Sequence, residues 1–182
     1  MQTGQVGYGE DRYEMRIRPG SLDDVAAVLR LMDGAVEWLV SQGRTGQWGT
    51  APMSGDPARI ARFTAMAEQG ELHIATIGDE VVGVLGVGPA MEYVPAAAEP
   101  EVYVRLLVTD RARKGSEIGA RLLDHARDIA RERGVVLLRV DCYAGADGAL
   151  VRYYERQGFT AAETFQVGEW PGQILAERLD SR

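Results

Sequence analysis

A chain of 182 residues with 46% apolar side chains suits one α/β domain of the α+β type with a full core, and leaves too little chain for a second. A formal net charge of −7 argues against a sequence-independent grip on nucleic acid, which needs basic surface. No apolar run approaches the roughly 18 residues of a membrane span, and a lone cysteine, Cys142, with no basic-then-apolar start to the chain reads as a cytoplasmic protein.

The charge is unevenly spread. Residues 1–100 hold 7 of the 20 basic and 14 of the 27 acidic side chains, leaving 13 of each for residues 101–182. If the second half holds an anionic cofactor and the first shapes the other substrate, that substrate is expected to be cationic. A solvated acidic surface that favours solubility is the alternative.

Residues 1–13 read as a disordered leader and residues 14–182 as a single domain. A first strand fits Glu14–Arg18 and stops at Pro19-Gly20. Ser21 with Asp24 three residues on has the form of a capping box, and Leu22, Val25, Leu29 and Met32 follow it at helical spacing. A further helical stretch covers Asp33–Gln42, the Gly/Pro-rich segment Gly43–Gly55 is a loop, and Pro57–Gln69 is another helix closed by Gly70. Strands are expected at Glu71–Ile77, Glu80–Gly88 and Glu101–Val108, the first two joined by a tight Gly78-Asp79 turn. Ile118–Arg133 carries an apolar stripe through Ile118, Leu122, Ala126, Ile129 and Ala130, ended by Gly134. Val135–Asp141 is a continuous apolar run, hence a central strand. A short helix over Ala149–Gln157 and two strands, Phe159–Phe165 and Gln173–Leu179, complete the chain.

The segment with chemical content is Val104–Phe159. Its turn, Arg113-Lys114-Gly115-Ser116-Glu117-Ile118-Gly119, opens an amphipathic helix, so unpaired backbone N–H groups and the positive end of the helix dipole are available to a phosphate. Glycines before helices are common, and neither a nucleotide-triphosphate loop nor a dinucleotide fingerprint is present. Tyr153-Tyr154-Glu155-Arg156-Gln157-Gly158-Phe159 ends a short helix in Gly-Phe; taken alone, Tyr154 reads equally as an amphipathic core residue.

Together, in this order and separation, the two features closely resemble the GNAT acetyltransferase superfamily, over about Glu14 to Leu179. Glu37-Trp38-Leu39, Gln47-Trp48 and Trp170-Pro171-Gly172-Gln173 look like a bacterial subgroup of mostly unassigned substrate. The resemblance implies a central mixed, mostly antiparallel sheet of about seven strands, splayed at a cofactor cleft and flanked by about four helices. It implies acetyl-CoA as donor and a primary amine, small-molecule or peptide, as acceptor, with direct attack in a ternary complex; a homodimer is common in the family. A non-catalytic CoA-binding module, or a transferase using another acyl-CoA, are the alternatives. By the same resemblance Leu106, Leu107 and Val108 lie beside the pantetheine arm, and Lys114, Gly115, Ser116, Glu117, Ile118 and Gly119 hold the pyrophosphate with added charge from Arg113. Tyr154 protonates the departing thiolate, as a phenol with a pKa of ~10 can. Two positions depart from the family pattern. Counted back from Gly119, Lys114 takes the family's basic position and Glu117 stands where a glycine belongs; counted from Val108, Arg113 is the basic residue and the turn has one extra residue. Glu117 can also simply favour the first turn of the helix as an acid. Asp147, expected near the cofactor, stands where many members carry Asn.

For proton removal from the amine, Glu101 is the first candidate and Glu92 the second; a solvated strand end is the alternative for Glu101. Glu101 and Tyr103 share a strand face two residues apart. Trp38, Gln47, Trp48 and Tyr103 are expected at the acceptor pocket, with Glu37 as a carboxylate for a cationic amine. Trp170-Pro171-Gly172-Gln173 reads as a turn with a packed tryptophan. Cys142 reads as packing, and His73, His125 and Cys142 make no metal site, so no metal is expected.

Overall fold

The computed structural model describes residues 14–180; the leader read over residues 1–13 lies outside them. The capping box forms as its spacing predicts: the Ser21 N–H donates to Asp24 Oδ2 at 2.8 Å, and Asp24 also takes the Arg18 guanidinium at 2.7 Å. This ties the end of strand β1 (Met15–Pro19) to the start of helix α1. The two helical stretches expected on either side of Asp33 are one helix, α1 (Val25–Ser41). Val25, Val28, Leu29, Met32, Val36 and Leu39 are buried along one continuous stripe. That packing outweighs the ~1 kcal/mol a helical glycine such as Gly34 costs. Helix α2 (Pro57–Glu68) starts from Asp56, whose side chain accepts from the Ala58 N–H at 2.9 Å.

Strands β2 (Leu72–Ile77), β3 (Glu80–Gly88) and β4 (Glu101–Thr109) follow, then helix α3 (Ile118–Glu132), β5 (Leu137–Tyr143), helix α4 (Ala149–Arg156), β6 (Thr160–Val167) and β7 (Trp170–Arg178). The last strand starts three residues earlier than expected, because the turn lies at Gly168-Glu169 and Trp170 already pairs with Val167. The seven strands form one mixed sheet in the order β1-β2-β3-β4-β5-β7-β6, antiparallel except for the central pair β4 and β5. The sheet expected from the sequence is thus observed, with four helices on its faces. Helices α1 and α2 cover one face over Phe63, Met66, Leu72, Ile74 and Val84. Helices α3 and α4 cover the other over Leu122, Leu123, Ala126, Leu138 and Val140.

Two irregularities of β4 make the functional geometry. Gly86 faces Leu106 while Val87 faces Val104, so Arg105 is an extra residue, a β-bulge. The bulge reverses the alternation of side chains. Val102 and Val104 pack with the α3 cluster, whereas Leu106 and Val108 pack with the α1–α2 cluster. Pairing of β4 with β5 then runs only from Glu101–Leu137 to Val104–Val140, after which the strands part. Among the described residues, one edge of residues 105–109 is left without a strand partner. Among the described residues, no helix is long and apolar enough to cross a membrane.

A splayed-sheet cleft as the candidate active site

The parting of β4 from β5 opens a cleft of about 700 Å³ whose lining draws on both halves of the chain. Its floor is the free edge of β4, including Leu106, Leu107 and Val108. Among the described residues, backbone groups on that edge have no ladder partner, so an extended amide-bearing arm can complete the ladder there.

At one end lies the turn into α3. A 3-10 turn at Arg111–Arg113 is held by Asp110, whose side chain accepts from the Ala112 N–H at 2.9 Å. Arg113, Lys114, Gly115, Ser116, Glu117, Ile118 and Gly119 all line the cleft. The departure at Glu117 has a structural signature: its φ is 56°, the left-handed conformation that glycine adopts without strain. The fold thus keeps the backbone path of a glycine turn while placing a carboxylate on it. A Cβ at Gly119 would meet the tip of Tyr153, so the ring has room only if residue 119 stays small or the ring shifts. Trp38 does not line the cleft; the Arg111 guanidinium lies 3.9 Å above its ring, so Trp38 braces the turn from behind and is not an acceptor-pocket residue.

At the fork itself stand Tyr154 and Asp141. Tyr154 is 5% exposed, packed edge-on against Tyr153 and Phe159, and lines the cleft. Burial pushes its hydroxyl well above the ordinary phenol value, which keeps it protonated, as a proton donor must be. The neighbouring Cys142 thiol is pushed up to about 12 by burial and stays neutral, consistent with packing and not with a nucleophile. Asp141 accepts a 2.5 Å hydrogen bond from the Tyr103 hydroxyl and faces the cleft. Burial raises its carboxyl above the usual value, and the Tyr103 hydrogen bond and the Arg62 charge pull it partly back.

The other end of the cleft is walled by Gln47, Trp48, Arg59, Arg62, Met91, Tyr93 and Trp170. Gln47 and Trp48, expected at an acceptor pocket, are both part of the cleft lining. The Trp170 indole donates to the Gln47 carbonyl at 2.9 Å, joining the last hairpin to the loop after α1. Trp170 is therefore a cleft wall as well as a packed residue beside the turn. Tyr93 stacks on Phe165 with ring centroids 5.5 Å apart.

Several sequence expectations are corrected by this geometry. Glu101 does not reach the cleft. Its carboxylate accepts from the Nε and Nη2 edge of the Arg139 guanidinium, the Nη2 contact at 3.0 Å, and the Nη1 and Nη2 groups also donate to the Pro95 carbonyl. The pair fastens the β3–β4 loop that carries Met91 and Tyr93. Glu92 and Glu37 are likewise absent from the cleft lining. Tyr103 is fully buried beneath the cleft and is not part of its lining; its hydroxyl reaches Asp141 there. Asp147 is a surface residue: it ion-pairs with Arg44 at 3.0 Å and accepts from the Ala149 N–H, so it caps α4 and stays clear of the lining. Among the described residues of the first hundred, the excess acid is also absent there. Residues 14–100 supply Arg59 and Arg62 to the cleft and no carboxylate. Their buried acids are spent on cations of the scaffold, Asp24 on Arg18 and Glu71 on Arg105 at 2.6 Å.

Sequence reading missed Arg62 and Asp141, although both left a trace. Arg59, Arg62, Phe63 and Met66 share helical spacing, so two arginines sit in an apolar stripe. Arg139 and Asp141 interrupt an otherwise apolar central strand. Among the described residues there is no group of three or more metal-ligating side chains.

An open strand edge, a phosphate-competent turn at one end and a buried phenol at the fork define a cleft for an extended phosphate-bearing co-substrate. Residues 32–159 match the model of the acetyltransferase (GNAT) family, and the chain belongs to that family of acyltransferase enzymes. It is 26% identical over 147 residues to YesJ, an uncharacterized N-acetyltransferase of Bacillus subtilis, covering 78% of this chain and 79% of that one. A GNAT-family acetyltransferase from Listeria monocytogenes superposes with a TM-score of 0.71 at 20% identity over 92% of this chain and 96% of its own. The PaiA N-acetyltransferase of Thermoplasma acidophilum, in complex with coenzyme A, gives 0.66 at 13% identity over 91% and 99%.

Proposed function

We propose that the protein transfers the acetyl group of acetyl-CoA to a primary amine by direct attack within a ternary complex. The observation that carries this reading is the placement of Tyr154 and Asp141 on one cavity at the fork of β4 and β5. The pantetheine arm lies along the free edge of residues 105–109, and the pyrophosphate sits on the N–H groups between Lys114 and Gly119. That arrangement brings the thioester to the fork.

Asp141 accepts a proton from the incoming ammonium, directly or through one water, and the neutral nitrogen attacks the thioester carbonyl. The C–N bond forms, the C–S bond breaks, and the thiolate takes the Tyr154 proton. The second proton released from nitrogen restores the phenol, leaving amide, thiol and one proton for each ammonium consumed. A carboxylate with a raised pKa suits the first step, and a phenol held neutral suits the last. A buried neutral Cys142 offers no route through an acyl-enzyme.

The test is incubation with acetyl-CoA and a broad set of primary amines, read by thiol release and by mass spectrometry of the products. Amide formation with matching thiol release is expected. Tight acetyl-CoA binding with no transfer to any acceptor would remove the catalytic reading.

A further inference from the structure

The cations lining the cleft are not equivalent. Arg105 is neutralised by Glu71 at 2.6 Å and also reaches Met91 Sδ. Arg113 is paired with Glu80 at 2.5 Å, Arg111 lies over Trp38, and Arg59 has Asp56 at 3.8 Å. Arg62 differs. It projects from α2 beside the core residue Phe63 and lines the acceptor end of the cleft; its buried Nε, like that of Arg105, has no hydrogen-bond acceptor, but Arg62 has no counterpart to the Glu71 that neutralises Arg105. No carboxylate forms an ion pair with it among the described residues. A guanidinium presents five donors in a fixed fork, and withdrawing it from water without a partner is costly. Its electrostatic neighbours are Tyr93, Arg59, Arg105 and Asp141, and Asp141 is already engaged with Tyr103.

We infer that Arg62 binds an acid group of the acceptor, and that the acceptor is a small amino acid: its amine at Asp141 and its carboxylate on the Arg62 fork. This rests on the acetyl-transfer reading above and names the acceptor class for it. A planar carboxylate accepts two parallel hydrogen bonds from a guanidinium, which fixes orientation as well as charge. The remaining walls, Met53, Phe63, Trp48 and Met91, offer no further charge, so the side chain of the amino acid is uncharged. A peptide N-terminus, whose nearest carbonyl is a neutral amide, lacks the group that Arg62 is placed to hold.

The experiment compares matched acceptors with and without the acid: L-leucine against isoamylamine, L-phenylalanine against phenethylamine, and L-methionine against 3-(methylthio)propylamine. Thiol release is followed for the wild type, Arg62→Gln and Arg62→Lys. On at least one pair the amino acid should exceed its amine by about 100-fold in kcat/KM. Arg62→Gln should erase most of that advantage through KM, Arg62→Lys about tenfold of it, with acetyl-CoA affinity unchanged in both. A second readout needs no turnover: with CoA present, N-acetyl-L-phenylalanine or N-acetyl-L-methionine should raise the Tm of the wild type and not of Arg62→Gln. Equal turnover of amines and amino acids, unaltered by Arg62→Gln, overturns this inference and leaves the transferase reading intact. Transfer to neither class, with acetyl-CoA bound, overturns the transferase reading; the Arg62-dependent Tm shift then upholds the anion site by its presence and overturns it by its absence.

Discussion

The two ends of the cleft are made from different materials. The end toward α3 is made of backbone: a free strand edge, a glycine-bearing turn and the first N–H groups of a helix. The acceptor end is made of side chains brought from α2, the β3–β4 loop, β5 and the last hairpin. A backbone site tolerates exchange of side chains so long as the path of the chain is kept, and Glu117 at φ 56° is an instance. A side-chain site has no such tolerance, because each group supplies a distinct charge or proton. The donor end can therefore stay fixed while the acceptor end is rewritten.

Substitutions at the fork should break this contrast most visibly. Tyr154→Phe is expected to lower kcat by about 100-fold or more with little change in acetyl-CoA affinity, read by thiol release and calorimetry. Asp141→Asn keeps an acceptor for the Tyr103 hydroxyl but removes the base, and should lower kcat/KM by about 100-fold at neutral pH. The sign of the pH effect follows from the raised Asp141 carboxyl. Wild-type kcat/KM should fall as pH drops through that raised value, because the protonated acid accepts nothing, and the Asn variant should lack that limb.

Glu101→Gln separates a scaffold role from a catalytic one. It leaves the buried Arg139 without its carboxylate and should cost about 2–3 kcal/mol in urea unfolding, with kcat per folded molecule unchanged. At the backbone end, Glu117→Gly should tighten acetyl-CoA about three- to tenfold at low salt by removing a carboxylate beside the pyrophosphate. Glu117→Gln should recover most of that gain, and both should shrink as salt is raised. Stability should barely move in the glycine variant, since relief of the left-handed conformation is offset by a more flexible unfolded chain.

The smallest expected effect lies outside the cleft. His73 and His125 meet at 3.0 Å between β2 and α3, and burial, with the His125 and Arg133 charges, lowers His73 to about 4. The folded state thus binds the proton less readily than the unfolded chain. Stability from this group is complete above the ordinary histidine value of ~6.5 and is lost as pH falls toward 4. Partial exposure limits the loss to about 1–2 kcal/mol, and His73→Gln should flatten that segment of a urea-midpoint profile against pH.

What the sequence revealed follows the same division. The strand-turn-helix at Glu101–Glu132 and the Tyr154–Phe159 ending are local patterns, and the sheet order and donor-side geometry follow from them. The single helix α1 was harder to read, because Gly34 interrupts the side chains without interrupting the stripe. The other end of the cleft draws on residues 79 positions apart, Arg62 and Asp141, which line one cleft because β4 and β5 part beyond Val104. Glu101 illustrates the converse. Its strand position was read correctly, but its partner Arg139 is paired across a parallel ladder that no local spacing announces.

The placement of the tryptophans gives the molecule a built-in optical signal. All 3 lie at the cleft or against its wall: Trp38 under Arg111 at the turn, Trp48 and Trp170 around the acceptor end. Donor and acceptor occupancy should thus perturb different indoles. With Trp38→Phe muting one end, and Trp48→Phe together with Trp170→Phe muting the other, unlabelled protein would report in a stopped-flow fluorimeter which substrate arrives first and which product leaves last.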